Sequence, residues 1–185
     1  MRTFIAIDLD PPLKEKLKTL ICELAPLAPN IRWVQAPGMH LTLKFLGETP
    51  DEKAAAVGQA LWTIAAGSPR FIIRLRELGT FPQARSLPRV IWVGVEGGPP
   101  LAAVQRDIES AAAGLGYEPE QRGFQPHLTL GRVKYPGRME RLLQEMEKHR
   151  GGDFGEMEVV RLTFFRSVLM PGGAEYSVLG EFGLT

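Results

Sequence analysis

The 185-residue chain is long enough for one domain with a sizeable core, and its 44% hydrophobic and 23% charged residues are typical of globular proteins. A formal net charge of +1 argues against a protein that coats long stretches of nucleic acid, but it permits a local basic site for one strand end. The single cysteine, Cys22, excludes an internal disulfide and a cysteine-based zinc cluster. We therefore expect a soluble cytoplasmic protein without an export signal or a membrane span.

The first part of the chain predicts a strand, a helix, a pair of strands and a second helix. Residues 3–9 form an apolar run typical of a strand, and Asp10 followed by Pro11 marks the start of a helix. Strands are predicted at residues 31–34 and 40–46, on either side of a Pro-Gly turn. A Thr-Pro-Asp-Glu capping box at residues 49–52 then predicts a helix that ends near Ala66.

The rest of the chain continues this interleaving of strands and helices. Strands are predicted at residues 71–78 and 90–95, joined by a loop at 79–88 that is placed to line or cover a site. A helix that ends at Gly114, a strand at 125–133 and a helix at 136–149 follow. Two strands at 157–169 and 176–184 complete the chain. This pattern predicts a layered α/β or α+β fold.

A short internal repeat is the most informative feature of the sequence. The tetrapeptide His-Leu-Thr-Leu begins at His40 and again at His127, a separation of 87 residues, and these are two of only three histidines. Strand alternation places His40 and Thr42 on one face and the leucines on the other, and it does the same for His127 and Thr129. The repeat predicts two related lobes whose polar pairs converge on a shared cleft.

Two imidazoles and two hydroxyls around one phosphorus are suited to opening a cyclic phosphodiester with water. One imidazole can take a proton from water while the other protonates the departing ribose oxygen. The hydroxyls, with a cation such as Arg132 or Lys44, would stabilise charge on the non-bridging oxygens. Both cations are also interpretable as ordinary solvated charges at strand ends. The scheme requires no metal and no cofactor.

Other candidate residues have competing structural interpretations. Trp33 and Phe124 shortly precede the two histidines and are candidates for stacking a terminal base, although core packing explains at least one of them. His149 ends a predicted helix, where a cation favours the helix dipole, so we interpret it as structural. Glu48 alone does not complete a zinc site with the histidines.

At the two motifs the chain resembles the 2H phosphoesterase superfamily, whose signature is two His-x-Thr/Ser-x motifs on facing strands of two pseudo-symmetric lobes. The segments FIAIDL, RWV, HLTLKFLGE and FQPHLTLGR are similar to bacterial and archaeal RNA 2′,3′-cyclic phosphodiesterases, also described as 2′-5′ RNA ligases. The resemblance implies hydrolysis to a 2′-phosphomonoester and a weak ATP-independent 2′-5′ joining of RNA. It also implies that His127 activates water and that His40 protonates the 3′ oxygen.

We therefore expect residues 1–185 to form a single monomeric α+β domain of two interleaved, pseudo-symmetric lobes. Each lobe should be an antiparallel sheet backed by helices, with a central cleft that takes RNA ends or cyclic nucleotides. One alternative is a phosphodiesterase for another cyclic or 2′-5′-linked nucleotide, such as ADP-ribose 1″,2″-cyclic phosphate. Others are an RNA-end-binding module without turnover, and an α/β hydrolase with a serine or metal centre, whose usual motifs are absent from the sequence.

Overall fold

The computed structural model describes residues 1–82, 87–171 and 173–185, which form nine strands and four α-helices. The helices are α1 (Pro11–Leu24), α2 (Asp51–Ala66), α3 (Gly98–Gly114) and α4 (Glu140–Lys148). The strands are β1 (Arg2–Asp8), β2 (Ile31–Trp33), β3 (His40–Glu48), β4 (Phe71–Phe81), β5 (Val90–Glu96), β6 (His127–Val133), β7 (Asp153–Val159), β8 (Arg161–Met170) and β9 (Gly173–Gly183). The predicted α+β class, with antiparallel sheets backed by helices, is confirmed.

The strands form two antiparallel sheets, one of four strands in the order β3-β1-β8-β9 and one of five in the order β2-β6-β5-β4-β7. The chain crosses between the sheets repeatedly, so neither sheet comes from one contiguous half of the sequence. β3 is an edge strand, and the short β2 pairs only with residues 131–133 of β6. The first residues of β6 therefore lie at their own sheet edge, close to β3. Both motifs are thus brought to the junction between the sheets.

One core holds the two sheets and the helices together. α1 and α4 pack on the five-stranded sheet, α2 packs on the four-stranded sheet, and α3 contacts a strand of each. α1 begins where the sequence predicts, because the Asp10 side chain accepts a hydrogen bond of 3.0 Å from the Leu13 amide. Within the described residues no helix is long and apolar enough to cross a membrane.

The structure corrects the predicted start of α2. Thr49 does not cap this helix, because the N-cap position belongs to Pro50 and no side chain bonds the first turn. The buried Thr49 hydroxyl instead lies 2.7 Å from that of Thr3 and accepts a hydrogen bond of 3.2 Å from Tyr117. A residue that ties β3, β1 and the segment after α3 together cannot also serve as the cap.

The clearest other differences from the predicted element boundaries concern β7 and β8, α4, and β4. The single strand predicted at residues 157–169 is two strands, because the chain leaves the five-stranded sheet at Val159 and enters the four-stranded sheet at Arg161. α4 begins at Glu140, four residues later than predicted from Pro136. β4 extends to Phe81, into the predicted loop at 79–88, of which residues 83–86 lie outside the described part of the chain.

Candidate active site

A β-bulge interrupts β3 at the fourth residue of the first motif. Thr42 and Lys44 pair with successive residues of β1, so Leu43 is the extra residue between them. Both residues of a bulge turn toward the same side of the sheet, and alternation resumes after it. Lys44 is therefore buried with Leu43, and Phe45 returns to the face that carries His40 and Thr42.

The second motif strand has a bulge at the matching position. Thr129 and Gly131 pair with successive residues of β5, which leaves Leu130 as the extra residue of β6. Arg132 is exposed on the face that carries His127 and Thr129. We call this face of each sheet, with its histidine and threonine, the motif face. The two motifs thus share their local backbone geometry as well as their sequence.

The four motif leucines anchor the two strands in the core. Leu41, Leu43, Leu128 and Leu130 are at most 4% exposed. Burial of each such side chain contributes roughly 1.5–3 kcal/mol. Because each strand is fixed by two leucines on its buried face, the histidine and threonine on the opposite face are held in position.

His40 lies in an aromatic enclosure on the motif face of the four-stranded sheet. Its ring centroid is 4.7 Å from that of Phe4, 5.1 Å from that of Tyr176 and 5.5 Å from that of Phe165. On the face of β1 that carries Phe4 and Asp8, the residue between them is the fully buried Ala6. Its small side chain leaves room for the imidazole. The enclosure restricts the ring and shields most of it from water.

This enclosure changes the acidity of His40. Burial lowers the pKa of His40 from 6.5 to about 4, and the carboxylate of Asp8 and the carbonyl of Pro37 raise it only in part. Lys14 lowers the pKa of His40 as well, and its ammonium lies 2.7 Å from the Asp8 carboxylate, whose charge it partly offsets. In the free protein at pH 7, His40 is therefore a neutral imidazole.

His127 is held by its own backbone rather than by an enclosure. Its Nδ1 lies 2.7 Å from the carbonyl oxygen of Gln125, and it must carry a hydrogen to bond to that oxygen. The Nε2 atom is therefore the ring nitrogen that this bond leaves available. The edge of the ring contacts Phe81 at 5.0 Å between centroids, and Phe81 in turn lies 5.2 Å from Trp92.

The structure does not place Lys44 with the motif side chains. Lys44 is 6% exposed on the core side of β3, and its ammonium donates to the Glu109 carboxylate at 2.6 Å and to the Glu118 carbonyl at 2.7 Å. Glu109 also accepts a hydrogen bond of 2.7 Å from the Glu120 amide. Strict alternation would place Lys44 on the face of His40 and Thr42, but the bulge at Leu43 turns it to the buried face. Lys44 joins β3 to α3 and to the segment after it, and we withdraw it as a phosphate ligand.

The two aromatic residues predicted to stack a base also face the core. Trp33 lies opposite Gly131, on the buried face of β2, and Phe124 packs half-buried against the main core. The sequence analysis missed Phe45, which is 63% exposed on the motif face. Strict alternation assigned Phe45 to the buried face, so only the bulge reveals it.

The remaining histidine lies apart from the motifs. His149 follows the last residue of α4, and its ring is 6.3 Å from that of Phe154. Across the described ranges, the side chains form no group of three or more His, Cys, Asp or Glu residues that could hold a metal ion. The chemistry available at the junction is that of two imidazoles, two hydroxyls and the neighbouring arginine.

The paired, bulged His-x-Thr strands at the junction of two antiparallel sheets define a phosphoesterase of the two-histidine class. A sequence profile described as the 2′-5′ RNA ligase superfamily matches residues 15–168. The chain belongs to this family, that of the RNA 2′,3′-cyclic phosphodiesterases within the 2H phosphoesterase superfamily.

Curated relatives match nearly the whole chain. An RNA 2′,3′-cyclic phosphodiesterase of Thermotoga maritima is 35% identical over 184 residues, covering 98% of this chain and 94% of the relative. That of Methanocaldococcus jannaschii is 32% identical over 182 residues, covering 98% of this chain and the whole relative.

Solved structures share the fold at full length. A protein of Thermus thermophilus superposes with a TM-score of 0.86 at 28% identity, covering 100% of this chain and 98% of that one. Escherichia coli LigT in complex with 3′-AMP superposes with a TM-score of 0.80, with the same identity and coverage. LigT has also been crystallised with ATP.

Proposed function

We propose that this protein hydrolyses 2′,3′-cyclic phosphate ends of RNA to 2′-phosphomonoesters, using His40 and His127 as a general acid–base pair without a metal. The observation that carries this proposal is the matched pair of bulged strands. Each presents one histidine and one threonine at the junction between the sheets. The family supplies the substrate class, because its curated relatives are RNA 2′,3′-cyclic phosphodiesterases.

The reaction needs two proton transfers on opposite sides of the phosphorus. Water attacks the phosphorus as its proton passes to one imidazole, and the bond from phosphorus to the 3′ oxygen breaks as the other imidazole protonates that oxygen. The product has a 2′-phosphate and a 3′-hydroxyl. The two histidines then exchange one proton through solvent, which restores the starting state.

The threonine hydroxyls supply the third element of the mechanism. Thr42 and Thr129 are half-buried on the motif faces, two residues after each motif histidine. Each hydroxyl can donate a hydrogen bond to a non-bridging oxygen, where negative charge grows in the transition state. The strands fix these donors before substrate arrives, so little reorganisation is needed during the reaction.

We assign the base role to His127 and the acid role to His40, following the family resemblance. The acid role requires a protonated His40. With a pKa of about 4, His40 is protonated in only about one free protein molecule in a thousand at pH 7. Protonating His40 at pH 7 thus costs about 4 kcal/mol in the free protein. The negative charge of the bound phosphate must supply much of this energy by raising the pKa.

The same arrangement supports a weak, ATP-independent 2′-5′ ligation. A 5′-hydroxyl in the place of water would attack the phosphorus, and the 3′ oxygen would leave as before. The cyclic ester then supplies the energy for the new bond. Water competes with the hydroxyl at every turnover, so hydrolysis should dominate.

The proposal is tested with a short RNA that ends in a 2′,3′-cyclic phosphate, incubated with protein in EDTA. We expect conversion to a 2′-phosphate, and a loss of roughly 10²- to 10⁴-fold in rate for either His40→Asn or His127→Asn. The matched control is His149→Ala, which should keep full activity. Binding without conversion by the wild-type protein would favour an RNA-end-binding module. Conversion of other cyclic or 2′-5′-linked nucleotides alone would favour a different phosphodiesterase.

A further inference from the structure

Two long segments of the chain contain no acidic residue. All 21 aspartates and glutamates lie outside residues 24–47 and 121–139. The pairing of β2 with β6 brings these two acid-free segments together at one edge of the five-stranded sheet. At the opposite side of the same sheet, Arg70, Arg74 and Arg76 all form salt bridges with carboxylates of neighbouring strands. Unbalanced positive charge is therefore concentrated at the edge formed by β2 and the end of β6.

A groove of about 500 Å³ lies at this edge, beyond the end of β6. One wall comes from residues 27–30, before β2, and the other comes from residues 135–141, where α4 begins. Arg138 and Arg141 line the groove and are exposed, and Glu140 is the one acidic residue among its described lining residues. Neither arginine forms a salt bridge within the described part of the chain. The groove therefore carries a net positive charge.

The two walls of the groove are fixed to each other by Asn30. This residue is 3% exposed, and its side-chain amide donates a hydrogen bond of 3.0 Å to the carbonyl oxygen of Tyr135. Gly137 packs so closely on Asn30 that a β-carbon at position 137 would lie 2.8 Å from Nδ2. Tyr135 itself is 56% exposed. The groove thus presents an aromatic ring beside two guanidinium groups, and these groups suit the base and the phosphate of a nucleotide.

β6 connects this groove to the active site. His127 is the first residue of β6, and Tyr135 follows two residues after its end. With one bulge between them, their Cα atoms are roughly 23 Å apart at about 3.3 Å per residue. A mononucleotide bound at His127 does not reach the groove, whereas a single strand spans this distance with several nucleotides. The exposed Lys134 lies on the path and has no carboxylate partner among the described residues.

We propose that this groove binds a nucleotide of the RNA strand several positions upstream of the 2′,3′-cyclic phosphate. Tyr135 stacks on the base, and Arg138 and Arg141 bind the phosphate. The proposal rests on the proposed function for the identity of the strand end. It gives the protein a preference for RNA chains long enough to reach from the motif histidines to α4.

The test compares kcat/KM for a dinucleotide and for a ten-nucleotide RNA that end in the same 2′,3′-cyclic phosphate. We expect the wild-type protein to prefer the longer RNA, and Arg138→Ala/Arg141→Ala to reduce this preference about tenfold without changing the value for the dinucleotide. Tyr135→Ala should also reduce it, whereas Tyr135→Phe keeps the ring and should not. The matched control is Arg106→Ala on the exposed side of α3, which should leave the preference unchanged.

Equal values of kcat/KM for the two RNAs with the wild-type protein, or an unchanged preference in the double arginine variant, would overturn the proposal. If the wild-type protein converts neither RNA, the proposed function fails, and binding of a ten-nucleotide RNA with a terminal 2′-phosphate then decides the proposal. Weaker binding by the double variant, with a logarithmic salt dependence smaller by about 0.7 in slope for each lost phosphate contact, would support the groove as an RNA site. Equal affinity and equal slope would refute it.

Discussion

The acidity of His40 predicts a specific pH dependence of stability. Its pKa is 6.5 in the unfolded chain and about 4 in the folded protein, so between these values the unfolded chain holds more protons at this residue. The free energy of unfolding should therefore fall as the pH falls through this window, and the stability is fully present above about pH 6.5. The shift corresponds to about 3 kcal/mol lost by pH 4, of which roughly 2.5 kcal/mol is lost between pH 7.5 and 4.5.

The assay is urea unfolding at pH 7.5 and at pH 4.5 for the wild-type protein and for His40→Gln. Glutamine does not titrate, so all other carboxyl and histidine contributions cancel in the difference between the two proteins. We expect the wild-type protein to lose roughly 2.5 kcal/mol more than the variant over this interval. Equal losses would refute the argument that the aromatic enclosure disfavours the imidazolium. An NMR titration of the His40 ring in the wild-type protein, with a midpoint near 4, checks the same pKa if the variant folds poorly.

Three further predictions concern the surroundings of the motifs. Ala6→Leu should fill the space over which the His40 ring lies and lower kcat at least tenfold, measured beside circular dichroism that shows a retained fold. Lys44→Met should leave Glu109 without its buried partner and cost roughly 3 kcal/mol in urea unfolding, and a Lys44→Met/Glu109→Gln double variant should recover part of this loss. Phe45→Ala should raise KM for the RNA end several-fold with less than about 0.5 kcal/mol of destabilisation, because an exposed aromatic side chain beside the site can stack a base. An unchanged kcat, an unchanged urea midpoint or an unchanged KM, respectively, would contradict each prediction.

The sequence predicts much of this fold because its strongest patterns are local. The helix that begins after Asp10, the strand alternation around both motifs and the repeat itself all follow from residue spacing. The interleaving of strands and helices indicates a layered α/β or α+β fold without any knowledge of which strands pair, and the family resemblance then favours the two-lobed α+β fold. These features depend on neighbours within a few residues, so they can be read from the chain directly.

The bulges account for the principal errors about the site. Strict alternation assigned Lys44 to the polar face and Phe45 to the buried face, and both assignments are wrong. No local residue signal marks Leu43 as the inserted position of the bulge. A bulge is fixed by its pairing with β1, which is distant in sequence. For the same reason, the meeting of the two acid-free segments appears only when the pairing of β2 and β6 is known.

Long-range contacts likewise explain the misplaced helix cap and strand. Thr49 has the sequence context of a cap, but its hydroxyl is buried against Thr3 and Tyr117. The continuous apolar pattern across residues 157–169 gives no sign that the chain changes sheets at Val160. Hydrogen-bond partners from distant segments decide both outcomes, and a local pattern cannot identify them.

The most direct test of the two-histidine mechanism is to determine where the phosphate and the water oxygen end up after turnover. An RNA ending in a 2′,3′-cyclic phosphate is incubated with wild-type protein in ¹⁸O-labelled water with EDTA, and the terminal nucleotide is analysed by mass spectrometry. The mechanism predicts a 2′-phosphate that carries one ¹⁸O atom, and formation of this product roughly 10²- to 10⁴-fold more slowly with His127→Asn. A 3′-phosphate product, or the same labelled 2′-phosphate from His127→Asn at the wild-type rate, would contradict it.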